Sequence, residues 1–161
     1  MQDRALMNAC AVRAATRREK DALIMVTLRT RTAGAVATAR PRGAVSVATP
    51  TGGSMELTTS VSEAGFSPLD LLYSALAGCL ALSARHAAAQ QGLGDRIDGI
   101  RVEVGGEKAA GEPSRIAAVR LRLIVTGTIS AAEREALVAE AERLCTVSNT
   151  LAAGVRLEHA G

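Results

Sequence analysis

Residues 67–92 read SPLDLLYSALAGCLALSARHAAAQQG, and this stretch decides the fold of the 161-residue chain. It starts with strong helix signals, because Ser67 suits the N-cap, Pro68 the first helical position and Asp70 the third position of a capping box. Gly92 is a suitable C-terminal stop. The residues between these signals are apolar on almost every side of a helical projection, which predicts one long helix that is largely buried.

A single thiol lies near the middle of this predicted helix, where Cys79 shares one stripe with Leu72, Leu76 and Ser83. A second predicted helix carries Cys145 on its apolar face. A free cysteine on such a face is most often a small core residue. Two cysteines on the inward faces of helices that pack on the same side of a sheet can also meet, and that arrangement favours thiol chemistry.

The other secondary-structure signals are short runs of alternating apolar and polar residues, which are typical of β-strands. They occur, in chain order, at 22–32, 35–39, 44–49, weakly at 55–61, and then at 100–104, 116–126 and 155–158. The second helix starts at a capping box formed by Ser130 and Glu133. Because the strands come in runs, the pattern βββ-α-ββ-α-β predicts an α+β fold with two main helices on one side of an antiparallel sheet.

Composition predicts a single domain over residues 21–161 preceded by a basic, flexible arm at 1–20. The arm carries five basic and two acidic side chains, so the net charge of +3 belongs to it and the remaining residues balance to zero. The predicted domain has no basic stripe and the chain is only 1% aromatic, so no nucleic-acid partner is expected. No apolar run is long enough to predict a membrane span.

The cysteines and histidines argue against structural disulfides and metal binding. Cys10, Cys79 and Cys145 are too few for a disulfide framework, which favours a reducing, cytoplasmic location. His86 and His159 show no metal-ligand spacing with the cysteines, so no metal is expected. Cys10 lies in the arm and matches no motif.

Thiol chemistry at Cys79 requires a nearby cation. The thiolate is the reactive form, and a thiol with an ordinary pKa of about 8.5 is only a few per cent ionised at neutral pH. The dipole of its own helix is weak at Cys79, which lies about three turns from the N-terminus. The available cations are arginines of the N-terminal strands and their connections: Arg29, Arg31, Arg40 and Arg42.

Two segments resemble motifs of the OsmC/Ohr family, the osmotically inducible protein C and organic hydroperoxide resistance proteins. SPLDLLYSALAGC at 67–79 is similar to the family's S/N-P-x-E-L-L…A-x-x-x-C helix. LCTVSNTL at 144–151 is similar to its C-P/S-V-S-x-x-L segment, and a predicted β-hairpin lies between the two. The resemblance extends from about Leu23 to His159 and is closer to a less characterised branch with S-P-x-E-L.

The resemblance implies an intertwined homodimer with two active sites at the interface. It implies that Cys79 is the peroxidatic thiolate, which attacks a small organic hydroperoxide, and that Cys145 resolves the resulting sulfenic acid as a disulfide. A dithiol reductant, in this family often a lipoylated protein, then restores both thiols. No metal, flavin or haem is needed. Apolar residues around the thiol (Leu72, Leu76 and Leu80) favour organic hydroperoxides over hydrogen peroxide.

In the well-characterised peroxidases of this family, an arginine from the N-terminal strands and a glutamate at the start of the cysteine helix hold the thiolate. Arg31 is the candidate arginine. Asp70 is the candidate acid, although it is also the capping-box acid and the commonest family spacing places the glutamate at Leu69. Two other functions stay open: different thiol chemistry, such as persulfide or disulfide handling, and a non-catalytic binding or structural dimer whose cysteines are core residues.

Overall fold

The computed structural model describes residues 33–58, 60 and 62–159. The predicted arm at 1–20 and the predicted strand at 22–32 lie outside these residues. The strands and helices are, in chain order, β1 (Val36–Thr38), β2 (Val45–Ala48), β3 (Ser54–Leu57), α1 (Pro68–Gln90), β4 (Ile97–Lys108), β5 (Ile116–Gly127), α2 (Ala131–Leu144) and α3 (Thr146–Ala153). The α+β class is therefore confirmed. None of the described helices is both long and apolar enough to cross a membrane.

Helix α1 begins and ends where the sequence signals predict. Ser67 Oγ accepts a hydrogen bond from the amide of Asp70 (3.2 Å), and Asp70 Oδ2 accepts one from the amide of Ser67 (2.9 Å), which completes the capping box. At the other end Gly92 adopts a φ of +68°, which favours glycine. The amide of Leu93 then donates to the carbonyl of Ala88 (2.8 Å), as in a Schellman motif.

The core lies where α1 packs against α2 and the inner face of the β4–β5 hairpin. Its buried members are Leu76, Leu80, Ala84, Ala87, Ala88, Leu93, Val125, Ile129, Leu137, Ala141 and Cys145. Burying a leucine such as Leu80 contributes about 1.5–3 kcal/mol relative to leaving it in water. On the other side of α1 the side chain of Leu82 is 59% exposed. The apolar composition of α1 predicts burial on nearly all sides. A single chain therefore leaves exposed one side that the composition predicts to be buried.

The strands form two antiparallel ladders in the described part of the chain, where the sequence predicts one sheet. Strands β1, β2 and β3 pair in that order, whereas β4 pairs only with β5. Strand β4 also extends further than predicted, because Gly105 and Gly106 remain paired, opposite Arg120 and Val119.

The C-terminal segment differs from the prediction in two ways. The structure shows no strand at 155–158, where Val155 and Leu157 are exposed. The alternation there is strand-like, but no neighbouring described segment satisfies its backbone donors and acceptors. In addition, the second predicted helix ends at Leu144, just before Cys145, and a third helix (α3) follows it.

Arg96 ties the start of the hairpin to the start of α2. Its guanidinium donates to both carboxylate oxygens of Glu133 (2.7 and 3.0 Å) and to the carbonyl of Thr128 (2.9 Å). Glu133 also accepts a hydrogen bond from the amide of Ser130 (2.8 Å) in the second predicted capping box. The hydrogen bonds from Arg96 and then from Ser130 lower the pKa of Glu133 from 4.5 to about 2.

Replacing this carboxylate should change how stability depends on pH. Because the folded-state pKa of Glu133 is lowered, its charged form stabilises the fold above pH 4.5, and this contribution is lost as the pH falls toward 2. We therefore expect Glu133→Gln to lower Tm at about pH 7 and the difference from wild type to shrink below about pH 4.5. Thermal unfolding followed by circular dichroism at several pH values measures both effects.

The control variant is Glu135→Gln, which removes an exposed carboxylate from the same helix. It should leave Tm close to the wild-type value at every pH. A Tm difference for Glu133→Gln that stays constant down to about pH 3 would contradict the role assigned to this carboxylate.

Candidate thiol site

The structure brings the two predicted cysteines together. Cys79, on α1, is half-buried and packs against the core cluster, of which Cys145 is a fully buried member. Both are free thiols, and they lie close enough for Cys79 to raise the pKa of Cys145. Residues far apart in the chain therefore form one dithiol site.

Cys145 occupies the corner between α2 and α3. It is at once the C-cap of α2 and the N-cap of α3, with φ of −73° and ψ of 100°. Its amide donates to the carbonyl of Glu142 (3.2 Å), and its carbonyl accepts from the amide of Asn149 (3.0 Å). Hydrogen bonds on both sides therefore hold the backbone from which the thiol projects.

The surroundings of Cys145 favour its neutral form. Burial raises the pKa of the Cys145 thiol, because removing water destabilises the thiolate. The backbone amide of Ser148 and, more weakly, that of Val147 lower this pKa from the first turn of α3, whereas the adjacent Cys79 raises it. The result is a raised pKa, so that Cys145 is a thiol at neutral pH and a poor first nucleophile.

Asp70 does not reach Cys79 within one chain. The two residues are nine positions apart on α1, which corresponds to about 14 Å along the axis and half a rotation about it. The Asp70 carboxylate instead accepts hydrogen bonds from the Ser67 hydroxyl (2.7 Å) and the Ser67 amide, which lower its pKa. In this structure Asp70 is a helix-capping residue.

The structure leaves the cation beside Cys79 unassigned. Arg31, the predicted arginine, lies outside the described residues. Arg40 and Arg42 are exposed in the connection between β1 and β2, and neither forms an ion pair with another described residue. Within residues 33–58, 60 and 62–159 no group of three His, Cys, Asp or Glu side chains could hold a metal ion.

An apolar cleft of about 370 Å³ opens between α1, β5 and α3. Its walls are formed mainly by Leu72, Leu76, Ile116, Val119, Leu121, Ser148 and Leu151. Neither cysteine lines the cleft, but Leu76 lies one turn before Cys79 on α1 and Ser148 one turn after Cys145. Leu72 and Leu76 line a pocket as predicted, whereas Leu80 is fully buried in the core.

The residues around Cys145 were not predicted as part of the site, because the sequence pattern predicts that the second helix continues through that cysteine. Helix α3 brings in the amides of Val147 and Ser148 and the side chain of Asn149. The signal was present in Thr146-Val147-Ser148-Asn149, since short polar side chains favour helix starts. Gly154, with a φ of +74°, marks the end of α3.

A sequence comparison identifies one family. The model of the family described as OsmC-like protein matches residues 61–160, which is more than half of the chain. No curated protein sequence matches the chain.

Solved structures show the same fold. An OsmC-like protein from Mycoplasma pneumoniae matches with a TM-score of 0.66 at 18% identity, over 76% of this chain and 89% of that one. An organic hydroperoxide resistance protein OsmC from Legionella pneumophila matches with a TM-score of 0.62 at 24% identity, over 76% and 90%. For OhrB of Bacillus subtilis the TM-score is 0.55 at 20% identity, over 74% and 90%. The OsmC/Ohr-like fold is thereby confirmed.

Cys145 should resist alkylation in the native protein. Because it is fully buried and its pKa is raised, we expect its rate with iodoacetamide near pH 8 to be at least about tenfold below that of the unfolded chain. The rate should still be rising with pH above the ordinary thiol pKa of about 8.5, where the thiols of the unfolded chain are already mostly ionised. Peptide mapping after timed labelling measures the rate at Cys145, and guanidinium-unfolded protein is the control. Equal rates in native and unfolded protein would contradict the burial.

Proposed function

Since its family model covers residues 61–160, the chain belongs to the OsmC family, and on this basis we propose that it is a thiol-dependent peroxidase of organic hydroperoxides. The proximity of Cys79 to Cys145 carries the proposal, because it pairs a half-buried thiol with a fully buried one. Two proteins of the same fold are named organic hydroperoxide resistance proteins.

Cys79 is the more accessible thiol and therefore meets the peroxide first. Its thiolate attacks the outer oxygen of the hydroperoxide, so that an S–O bond forms, the O–O bond breaks and the alcohol leaves with a proton. The Cys145 sulfur then attacks the sulfenic sulfur, giving a Cys79–Cys145 disulfide and water. A dithiol reductant, such as a lipoylated protein, reduces this disulfide by exchange and is itself oxidised. The reducing cytoplasm suits this cycle.

The raised pKa of Cys145 suits the second step. A neutral Cys145 does not compete with Cys79 for peroxide, because the thiolate is the nucleophile. When it attacks the sulfenic acid, its proton leaves with the hydroxyl group as water. The amides of Val147 and Ser148 stabilise negative charge on this sulfur as the proton departs.

The cleft between α1, β5 and α3 determines the substrate class in this proposal. Its leucine and valine side chains favour an alkyl or aryl group, and each buried CH₂ contributes about 0.8 kcal/mol to binding. Hydrogen peroxide has no such group and gains nothing from the cleft. Organic hydroperoxides are therefore the preferred substrates.

Arg31 and Asp70 complete the proposed site from the second subunit of a homodimer. Asp70 is too far along α1 to act on Cys79 of its own chain. In a dimer, Asp70 of one chain orients Arg31, and the guanidinium holds the Cys79 thiolate of the other chain. An adjacent cation stabilises a thiolate relative to the neutral thiol.

The exposed apolar side chains support the homodimer. Four of them lie on β1, on β3, before α1 and on the open face of α1, at Val36, Met55, Phe66 and Leu82 respectively. Contiguous exposed apolar surface typically marks an interaction site, and in this proposal these side chains form one surface in the dimer. A second copy that covers it explains why α1 is apolar on nearly every side.

Light scattering after size exclusion should give a mass of about twice the 16.6 kDa chain mass. Phe66→Asp should shift the mass toward the monomer, because it places a charge among the exposed apolar groups. Glu158→Gln, an exposed change at the C-terminus, is the control. A wild-type mass of one chain would contradict the dimer.

The peroxidase proposal is tested by adding one equivalent of cumene hydroperoxide to reduced protein and measuring intact mass with peptide mapping. We expect a rapid loss of two hydrogens, mapped to a Cys79–Cys145 bridge. Cys79→Ser should lower peroxide consumption at least about a hundredfold, because the nucleophile is gone. Cys145→Ser should stop at a sulfenic acid on Cys79, which dimedone traps. Cys10→Ser is the matched control and should behave like wild type.

The remaining outcomes separate the alternative functions. If neither cysteine changes over many minutes, the peroxidase proposal is wrong. Rapid formation of a persulfide or mixed disulfide on Cys79 in that case favours different thiol chemistry. Two inert, slowly alkylated cysteines favour a non-catalytic dimer.

A further inference from the structure

Asn149 links the two helices that meet at Cys145. Its side-chain Nδ2 donates to the carbonyl of Arg143 (3.0 Å), in the last turn of α2. Its backbone amide donates to the carbonyl of Cys145 (3.0 Å), in the first turn of α3. One residue therefore holds the chain at two points, two residues before Cys145 and at Cys145 itself.

The side-chain bond replaces a hydrogen bond that α2 cannot form. The last carbonyls of a helix have no intrahelical partner, and α2 ends at Leu144, where the chain changes direction. The Arg143 carbonyl therefore needs a donor from outside its helix, and Asn149 supplies it. The bond joins the last turn of α2 to α3 across the corner that carries the Cys145 thiol.

Disulfide formation is sensitive to the angle between α2 and α3 at this corner. The Cα atoms of the two bonded cysteines must lie roughly 4.4–6.8 Å apart, with a Cβ–S–S–Cβ dihedral near 90°. A misplacement of about 1 Å between reacting groups can cost about a hundredfold in rate. The position of Cys79 is fixed within the long helix α1. The geometry of the thiol pair therefore varies with the junction between α2 and α3 that carries Cys145.

We propose that Asn149 is a positioning residue for the Cys79–Cys145 pair, because its bridge between α2 and α3 holds Cys145 in the orientation from which the disulfide forms. The use of this disulfide in a peroxidase cycle rests on the proposed function. The positioning itself is a property of the reduced protein and is measurable without peroxide.

The first experiment equilibrates the protein with reduced and oxidised glutathione. One oxidised glutathione accepts two electrons from the two thiols, and the products are the Cys79–Cys145 disulfide and two reduced glutathiones. The equilibrium constant gives the effective concentration of one thiol at the other. We expect Asn149→Ala to lower it about tenfold, since the reduced protein loses its preorganisation.

Two further variants make this result specific. Asn149→Asp keeps the shape of the side chain but has no N–H to donate when ionised, so it should show the same loss. Thr150→Ala changes an exposed neighbour on α3 and should match wild type.

A purely structural role predicts a different result. If Asn149 only stabilised the fold, reduced and oxidised protein would lose equal stability, and the glutathione equilibrium would not change. Thermal unfolding of both forms measures this directly. Values for Asn149→Ala and Asn149→Asp within about twofold of wild type would overturn the proposal.

The second experiment uses a single turnover with cumene hydroperoxide. We expect Asn149→Ala to oxidise Cys79 within about twofold of the wild-type rate, while disulfide formation slows about tenfold and dimedone traps more sulfenic acid. Equal slowing of both steps would overturn the positioning role. A wild-type protein that does not react with peroxide refutes the proposed function only, and the glutathione equilibrium then decides this inference.

Discussion

The packing of α1 against α2 is the contact on which the rest of the structure depends. Its core includes small side chains, since Ala84 and Ala87 on α1 and Ala141 on α2 are fully buried in the same cluster as Leu137. Small side chains allow two helix axes to approach closely, and close packing tolerates little displacement. This contact brings the middle of α1 to the end of α2, and it is the reason that Cys79 meets Cys145.

The ends of the helices position the Cys145 thiol and affect its reactivity. Capping boxes start α1 and α2, and the break between α2 and α3 places a cysteine at a corner lined with backbone amides. Burial keeps the Cys145 thiol neutral, while the amides of α3 lie ready to stabilise its charge. The same few residues therefore terminate one helix, start the next and adjust the reactivity of a thiol.

Much of the fold was predictable because its signals are local. The caps of α1, the start of α2 at Ser130 and the β4–β5 hairpin all follow from residues within a few positions of one another. The failures have a common cause. The alternation at 155–158 resembles a strand, but a strand exists only where another backbone pairs with it. Likewise, the apolar composition of α1 does not show which of its sides a single chain covers.

The sequence by itself determined where α1 begins and ends, the α+β class and, through resemblance, which two cysteines to consider. Tertiary structure decided that these thiols lie close together and that one of them is fully buried. It also brought Asn149 to the carbonyl of Arg143. The physical reason is the distance along the chain over which each effect acts. Capping and periodicity involve residues within one or two helical turns, whereas burial and the pairing of two thiols depend on how separate helices pack.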